Sequence, residues 1–307
     1  MILIVGASGR LGSVVAELLL AQGKAVRAMT RTSRALAHLK EQGAEVVSGD
    51  LRNPASLLSA CQGVEQLLAA AHAFDGKGDN NPHTVDDAGN RQLIDAAKAA
   101  GVKHFVFLSI LGASPDAPPE LFRIKYHMEE YLRASGLSFT ILRPSAFMDL
   151  WAQLIGQPIL EQGKTTIFGR GNNPVNFVAV EDVVRFVSIA LDDPRAHNRV
   201  IEVGGPENLT LNQVAEIFER VSGHQAKKRH VPLPMMRVMS VLTQPLNPAL
   251  SRLIRLGIFM DTANLRYDMT ETARAFGIQL TTMEEVARRT VTSAGSLEVV
   301  NKPSQAL

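Results

Sequence analysis

Ile2-Leu3-Ile4-Val5-Gly6-Ala7-Ser8-Gly9-Arg10-Leu11-Gly12 follows directly on Met1. Four aliphatic residues in a row read as a buried strand, and the glycine run after them opens a helix with the apolar period Leu11, Val15, Leu18, Leu19. Amides in the first turn of a helix have no intrahelical acceptor and carry the positive end of its dipole. A strand, a glycine loop and a helix N-terminus in this order therefore suit a pyrophosphate, with glycines letting the backbone come close. Three glycines spaced by three exceed what a plain turn requires. The spacing is G-x-x-G-x-x-G, where the common dinucleotide fingerprint is G-x-G-x-x-G.

Working outward, aliphatic runs alternate with helix-period segments as far as Pro144, the pattern of βαβ units on a parallel sheet. Strands are predicted at Ile2–Val5, Ala25–Met29, Glu45–Val47, Gln66–Ala70, His104–Ser109 and Phe139–Leu142. Helices are predicted at Leu11–Gln22, about Ser33–Gln42, Asn53 to near Gly63, Asp87–Ala100 and Pro119–Ala134, most of them stopping at a glycine. A further helix, Glu181–Ala190, and a strand, Val200–Val203, resume this style. The expected fold is α/β, a doubly wound parallel sheet of about seven strands with a smaller interleaved C-terminal lobe. Residues 1–144 plus 175–205 form the dinucleotide-binding domain in this reading. Residues 145–174 plus 206–292 form a substrate or partner lobe, and 293–307 a loosely ordered tail. Thr210-x-x-Gln213 and Thr282-x-x-Glu285 read as capping boxes opening two helices of the lobe.

The second strand decides which dinucleotide. An NAD-selective site places an acidic residue about 20 residues past the loop, where it accepts hydrogen bonds from the ribose 2′-OH. This chain has Thr30-Arg31-Thr32-Ser33-Arg34 there, and the next carboxylate is Glu41. With no acid to repel a 2′-phosphate, and Arg10 and Arg31 able to pair with one, NADP is expected in preference to NAD.

Composition removes other classes. The 307 residues carry 32 Lys+Arg against 30 Asp+Glu, a net +2, which provides no chain-wide field for nucleic acid. Neither a basic stripe nor a helix-turn-helix is evident. The single cysteine, Cys61, excludes a disulfide framework and reads as a buried structural thiol. No His pair at i, i+4 supports a metal site, and Gly-x-Ser-x-Gly is absent. No apolar run reaches the roughly 18 residues that span a bilayer, and no signal peptide precedes the first strand, so a cytoplasmic location is expected. His72 and His127 read as ordinary, partly buried histidines.

Gly6–Gly12, Gly49-Asp50-Leu51, Phe105–Ser109, Lys125 with Glu129, and Ser135-Gly136-Leu137 through Arg143-Pro144 together resemble the NmrA-like group of atypical short-chain dehydrogenases/reductases. The resemblance covers most of residues 1–205. It implies that Asp50 and Leu51 flank the adenine and that Ala69–Ala71, with Ala70 at the centre, line the adenosine side. Gly6, Ser8, Gly9, Arg10, Leu11 and Gly12 would hold the phosphates, while Ser109, Lys125, Pro144 and Phe147 would lie toward the nicotinamide. Aligning Lys125-x-x-x-Glu129 with the superfamily pattern puts Leu121 where the catalytic Tyr stands and Ile110 where the Ser stands. Two of the three usual catalytic groups are thus missing. Tyr126 does not replace the Tyr, because its four-on partner is Glu130 and adjacent helical residues point about 100° apart.

Two functions follow. One is an NAD(P)H-dependent oxidoreductase reducing an apolar carbonyl, enone or quinone-type acceptor, with Lys125 either moving a proton or orienting substrate, or serving only as a ribose ligand. The other is a non-catalytic NADP(H)-binding redox sensor, regulator or assembly factor. The stretch Phe147-Met148-Asp149 with 154–161 is similar to plastid and cyanobacterial NmrA-like assembly factors. The Met-rich segment 232–260, with Arg237, Arg252 and Arg255, is open to three readings: a pocket lid or partner groove, lobe core with snorkelling arginines, or a peripheral membrane contact.

Overall fold

The computed structural model describes residues 1–301. Its strands, in chain order, are β1 (Ile2–Val5), β2 (Val26–Thr30), β3 (Glu45–Ser48), β4 (Gln66–Ala69), β5 (His104–Leu108), β6 (Ser138–Pro144), β7 (Ala146–Phe147), β8 (Lys164–Phe168), β9 (Val175–Val178), β10 (Arg199–Val203), β11 (Asn208–Leu209) and β12 (Lys227–Val231). The chain divides into two compact units.

The first unit comprises Met1–Pro144, Val183–Val203 and Gln244–Arg252. Its sheet has seven strands in the order β10-β6-β5-β4-β1-β2-β3, all neighbours parallel. The order reverses at β1, which sits between β4 and β2; this is the switch point where doubly wound sheets bind ligands. All four residues of β1 are buried, as expected of a strand covered on both faces. Leu3, Val5, Leu67, Phe105 and Phe107 pack with Leu93, Ile94, Met128 and Leu132 of the covering helices. Cys61 lies in this cluster, fully buried, and its burial pushes the thiol up to about 11. Gly23 and Gly101, which follow two of the helices, have φ of 74° and 76°, the left-handed backbone that stops a helix.

One element begins earlier than its pattern suggests. A π-type turn, Pro82–Gly89, precedes the helix Asn90–Ala99, so the helical segment starts five residues before Asp87. Asn81 caps it by accepting from the amides of His83 and Thr84. The buried Asn90 side chain donates to the carbonyls of Val85 (3.2 Å) and Asp86 (3.0 Å), serving acceptors that a regular helical ladder would have used.

The second unit comprises Ser145–Asp182, Gly204–Thr243 and Leu253–Leu307. It holds a three-stranded sheet, β11-β9-β7, and the parallel pair β12-β8. The division corrects the expected boundary: residues 175–182 belong here, because β9 pairs with β7 and β11 and not with the large sheet. Phe177, Met148, Trp151, Ile155 and Phe218 form its core with Met283 and Val286. Gly156 lies so close to Phe218 that a Cβ would come within 2.3 Å of the ring. Both capping boxes close: Thr210 with Gln213, and Thr282 with Glu285. The helix Met283–Asn301 runs past Ser293, where the sequence reading ended it. The remainder of the expected loose tail, 302–307, lies outside the described residues. The Gly169-Arg170-Gly171 turn is held by the buried Asp261, which accepts from the amides of Arg170 (3.2 Å) and Gly171 (3.1 Å).

The Met-rich segment forms two helices, Leu233–Thr243 and Pro248–Thr262. Arg252 is not a snorkelling cation. Its guanidinium donates to the carbonyls of Phe74 and Gly76, each at 2.8 Å, and ties the 244–252 segment to the loop after β4 within the first unit.

Candidate functional site

Parallel pairing in register brings the C-terminal ends of β1, β2, β4, β5 and β6 to one edge of the large sheet. The glycine loop, Arg31, Ala70, Ser109 and Pro144 follow from those ends. Gly6 has φ +96°, and a Cβ there would stand 2.7 Å from the Ala71 amide. A Cβ on Gly12 would stand 2.3 Å from the Gly6 carbonyl oxygen. These two glycines press the loop onto itself and onto the end of β4, while Gly9 N donates to Gly6 O at 2.9 Å. The helix Arg10–Ala21 starts with Gly9 as N-cap and no side-chain cap, and has no acidic residue in its first turn. Ser13 N makes the bond to Gly9 O, so the amides at 10–12 precede the helical ladder, an arrangement suited to an anion. Ser8, Gly9 and Arg10 are exposed beside it, and Leu11 is buried.

Arg31 is exposed at the end of β2 and donates to the neutral Asn80 amide oxygen at 3.1 Å. Asn80 was not legible as a site residue, since its partner is 49 positions away. Asp50 is gripped by Arg52, through Nε to Oδ1 (3.0 Å) and Nη2 to Oδ2 (2.6 Å), and the Arg52 hydrogen bond holds its carboxyl below the usual range. Leu51 is buried against Gly89. Phe147 belongs to the second unit, half-buried in β7 opposite Val178.

Ser109 is buried, and its hydroxyl donates to Glu129 Oε1 at 2.5 Å. Glu129 accepts two further bonds from Arg143, at 2.9 and 2.6 Å. These hydrogen bonds, foremost among several causes, raise the guanidinium above its ordinary value. The Ser109 proton is thereby engaged in a structural network. Lys125, on the helix Glu120–Ala134, is buried with its ammonium 3.1 Å from Asp86 Oδ1 and 5.0 Å from the centre of the Phe107 ring. Asp86 is fully buried, and its other oxygen accepts from Ala73 N at 2.9 Å. Its Oδ1 pairs with the ammonium by proximity but lacks hydrogen-bond geometry. Asp86 was missed from sequence; the Asn81-Pro82 helix start is the local signal that would have moved it from a loop onto a helix. Leu121, at the position of the absent Tyr, is half-buried, and Tyr126 is half-buried one residue from Lys125. His72 and His127 are both exposed, not partly buried as read from their neighbours. Among the described residues no three His, Cys, Asp or Glu side chains form a metal-binding group, and no helix is long and apolar enough to cross a membrane.

The seven-stranded parallel sheet, its switch point at β1 and the capless glycine turn there define a Rossmann-type α/β protein of the NAD(P)-binding atypical short-chain dehydrogenase/reductase type. The chain belongs to the NmrA-like family, whose sequence profile matches residues 1–286. It is 34% identical to the photosystem II assembly factor Ycf39 of Cyanophora paradoxa over 242 residues, 77% of this chain and 73% of that protein. It is 30% identical to the NAD(P)H azoreductase of Xenophilus azovorans, over 79% of this chain and 80% of that one. The NADPH-dependent quinone oxidoreductase QOR2 of Escherichia coli superposes with a TM-score of 0.77 at 25% identity, covering 94% of this chain and 99% of that structure.

Proposed function

We propose that the protein binds NADP(H) at the β1 switch point and is a reductase of an apolar carbonyl, enone or quinone-type acceptor in the cytoplasm. The observation that carries this reading is the glycine cradle beside an exposed Arg31 that faces a neutral amide. A 2′-phosphate meets a guanidinium there and no carboxylate from β2, so NADPH is favoured over NADH. The cofactor supplies the hydride. The chain supplies the grip on the phosphates, through the amides at 10–12 with the side chains of Arg10 and Arg31. Lys125, anchored by Asp86, orients the nicotinamide ribose or the acceptor oxygen; within the first unit Pro144 is assigned to the nicotinamide side and Asp50, Leu51 and Ala70 to the adenosine side. The azoreductase and quinone oxidoreductase relatives support a reductive activity on unsaturated acceptors.

A second reading, a non-catalytic NADP(H)-binding regulator or assembly factor, is favoured by Leu121 in the Tyr position and by the engagement of Ser109 with Glu129. The Ycf39 relative is named as a photosystem II assembly factor. Fluorescence titration with NADPH and NADH, beside a scan of NADPH oxidation against quinones, enones and azo compounds, separates the two. Turnover that falls about 10²–10⁴-fold in Lys125→Ala is expected of the reductase. Tight NADPH binding without turnover on any acceptor assigns the protein to the second reading.

A further inference from the structure

Between Glu219 and Asp261 the chain has no acidic residue, while Arg220, Lys227, Lys228, Arg229, Arg237, Arg252 and Arg255 all lie in that interval. Within the second unit this interval contains a basic strand, β12, with Lys227, Arg229 and His230 exposed. Pro232 then leads into the helix Leu233–Thr243. Its Met236 and Ser240 are buried, so one face of the helix already has its partner. On another face Met235, Val238, Met239 and Leu242 recur at i, i+3, i+4 and i+7, and all four are exposed, Val238 at 59% and Leu242 at 65%. Val241 beside them is 65% exposed, and Leu246, in the turn that follows, is 88% exposed. Of the twelve large hydrophobic side chains exposed among the described residues, eight fall between Met235 and Leu253. Exposed apolar residues scattered singly need no explanation, but a stripe of this regularity does.

We infer that β12 and the helix Leu233–Thr243 form a peripheral docking surface for an anionic membrane. An interfacial helix lies in the plane of the headgroups with its apolar stripe among the upper acyl chains, and basic residues beside it meet anionic lipid. Both requirements are present within seventeen consecutive residues, 227–243, which contain no carboxylate; the acidic neighbours of β12, Glu219 and Glu216, face Lys228 at 2.9 and 4.0 Å and leave Lys227 and Arg229 for an anionic surface. A second copy of this face fits less well, because it would set Lys227, Arg229 and Arg237 against like charges.

Co-sedimentation of the full chain with vesicles tests the inference, using phosphatidylcholine alone and phosphatidylcholine with 30% phosphatidylglycerol. Binding to the anionic vesicles, weakened by salt and weak on the neutral ones, is expected. Val238→Glu with Leu242→Glu should abolish it. Lys227→Gln, Arg229→Gln and Arg237→Gln should each weaken it about fivefold at low salt, the worth of one basic residue at an anionic surface. Far-UV circular dichroism and the NADPH affinity of each variant report folding, and neither involves this face. Equal binding to both vesicle types, or binding to neither, overturns the proposal. So does a wild-type oligomer that dissociates in Val238→Glu while ignoring vesicles, which would assign the face to a second copy.

Discussion

Lys125 and Asp86 show how a single buried pair ties stability to the proposed chemistry. Each charge is removed from water and answered by the other, and Asp86 also satisfies the Ala73 amide. Removing one partner leaves the other uncompensated, so Lys125→Met should cost roughly 3–5 kcal/mol in urea unfolding. Asp86→Leu combined with Lys125→Met should recover part of that loss, because two apolar side chains replace two charges while the buried Ala73 amide loses its acceptor. At β2, Arg31→Ala should weaken NADPH by about tenfold and leave NADH nearly unchanged, the worth of one charge-assisted contact to a phosphate; equal loss for both dinucleotides would place Arg31 elsewhere. Cys61 offers a simpler check. With its thiol raised to about 11 by burial, a disulfide reagent at pH 8 should label it only at the rate of unfolding.

At the scale of elements, the seven strands of the large sheet were legible because most carry a buried aliphatic or aromatic run, and most helix ends because glycine marks them; in the second unit the basic β12 lacks such a run. The π-type turn was not. The apolar period becomes regular only after Asp87, and the buried Asn90 that serves the turn's carbonyls looks like any polar helical residue. Nor was the Asp86–Lys125 pair legible, since nothing local links residues 39 positions apart. The helices of 233–262 were not legible as such: Pro234 and Pro248 stand in their first turns and Pro245 in the turn between them, so the apolar period is interrupted at each start. The glycine loop, by contrast, was legible in full. Gly12→Ala would drive a Cβ into the Gly6 carbonyl, so the loop must shift, and NADPH affinity should fall at least tenfold while the rest of the sheet persists. His104 gives the first unit a pH signature. Its ring bonds Ser138 (2.9 Å), Thr140 (3.1 Å) and the Ala190 carbonyl (3.0 Å), and burial with His197 stacked at 4.0 Å lowers its pKa to about 4. The unfolded chain takes up that proton near pH 6.5, so the native state binds fewer protons between these values. Stability is therefore full above about pH 6.5 and declines as the pH falls toward 4. Urea midpoints measured across that range should slope accordingly, and His104→Gln should flatten the slope.

For the whole molecule, a ligand bound only by the folded state raises stability by mass action. NADPH at about 100 times its dissociation constant should add about 2.7 kcal/mol and lift the Tm by several degrees, with NADH at the same concentration adding less. This measurement needs no acceptor and stands whether or not the protein turns over. The large sheet was readable as a whole, but the boundary of the second unit was not, because Val175–Val178 has the same composition as a strand of the large sheet and only its pairing partners distinguish it. The connectivity also bears on how the chain is made. The edge strand β10 joins β6 only after the chain has passed through residues of the second unit, from Ser145 to Asp182. At about 5–20 residues per second, β6 leaves the ribosome several seconds before its last neighbour exists. During that interval its backbone is an open edge able to pair with a foreign strand. Expression yield should thus depend on the speed of translation between codons 145 and 203, and slow codons there should favour inclusion bodies.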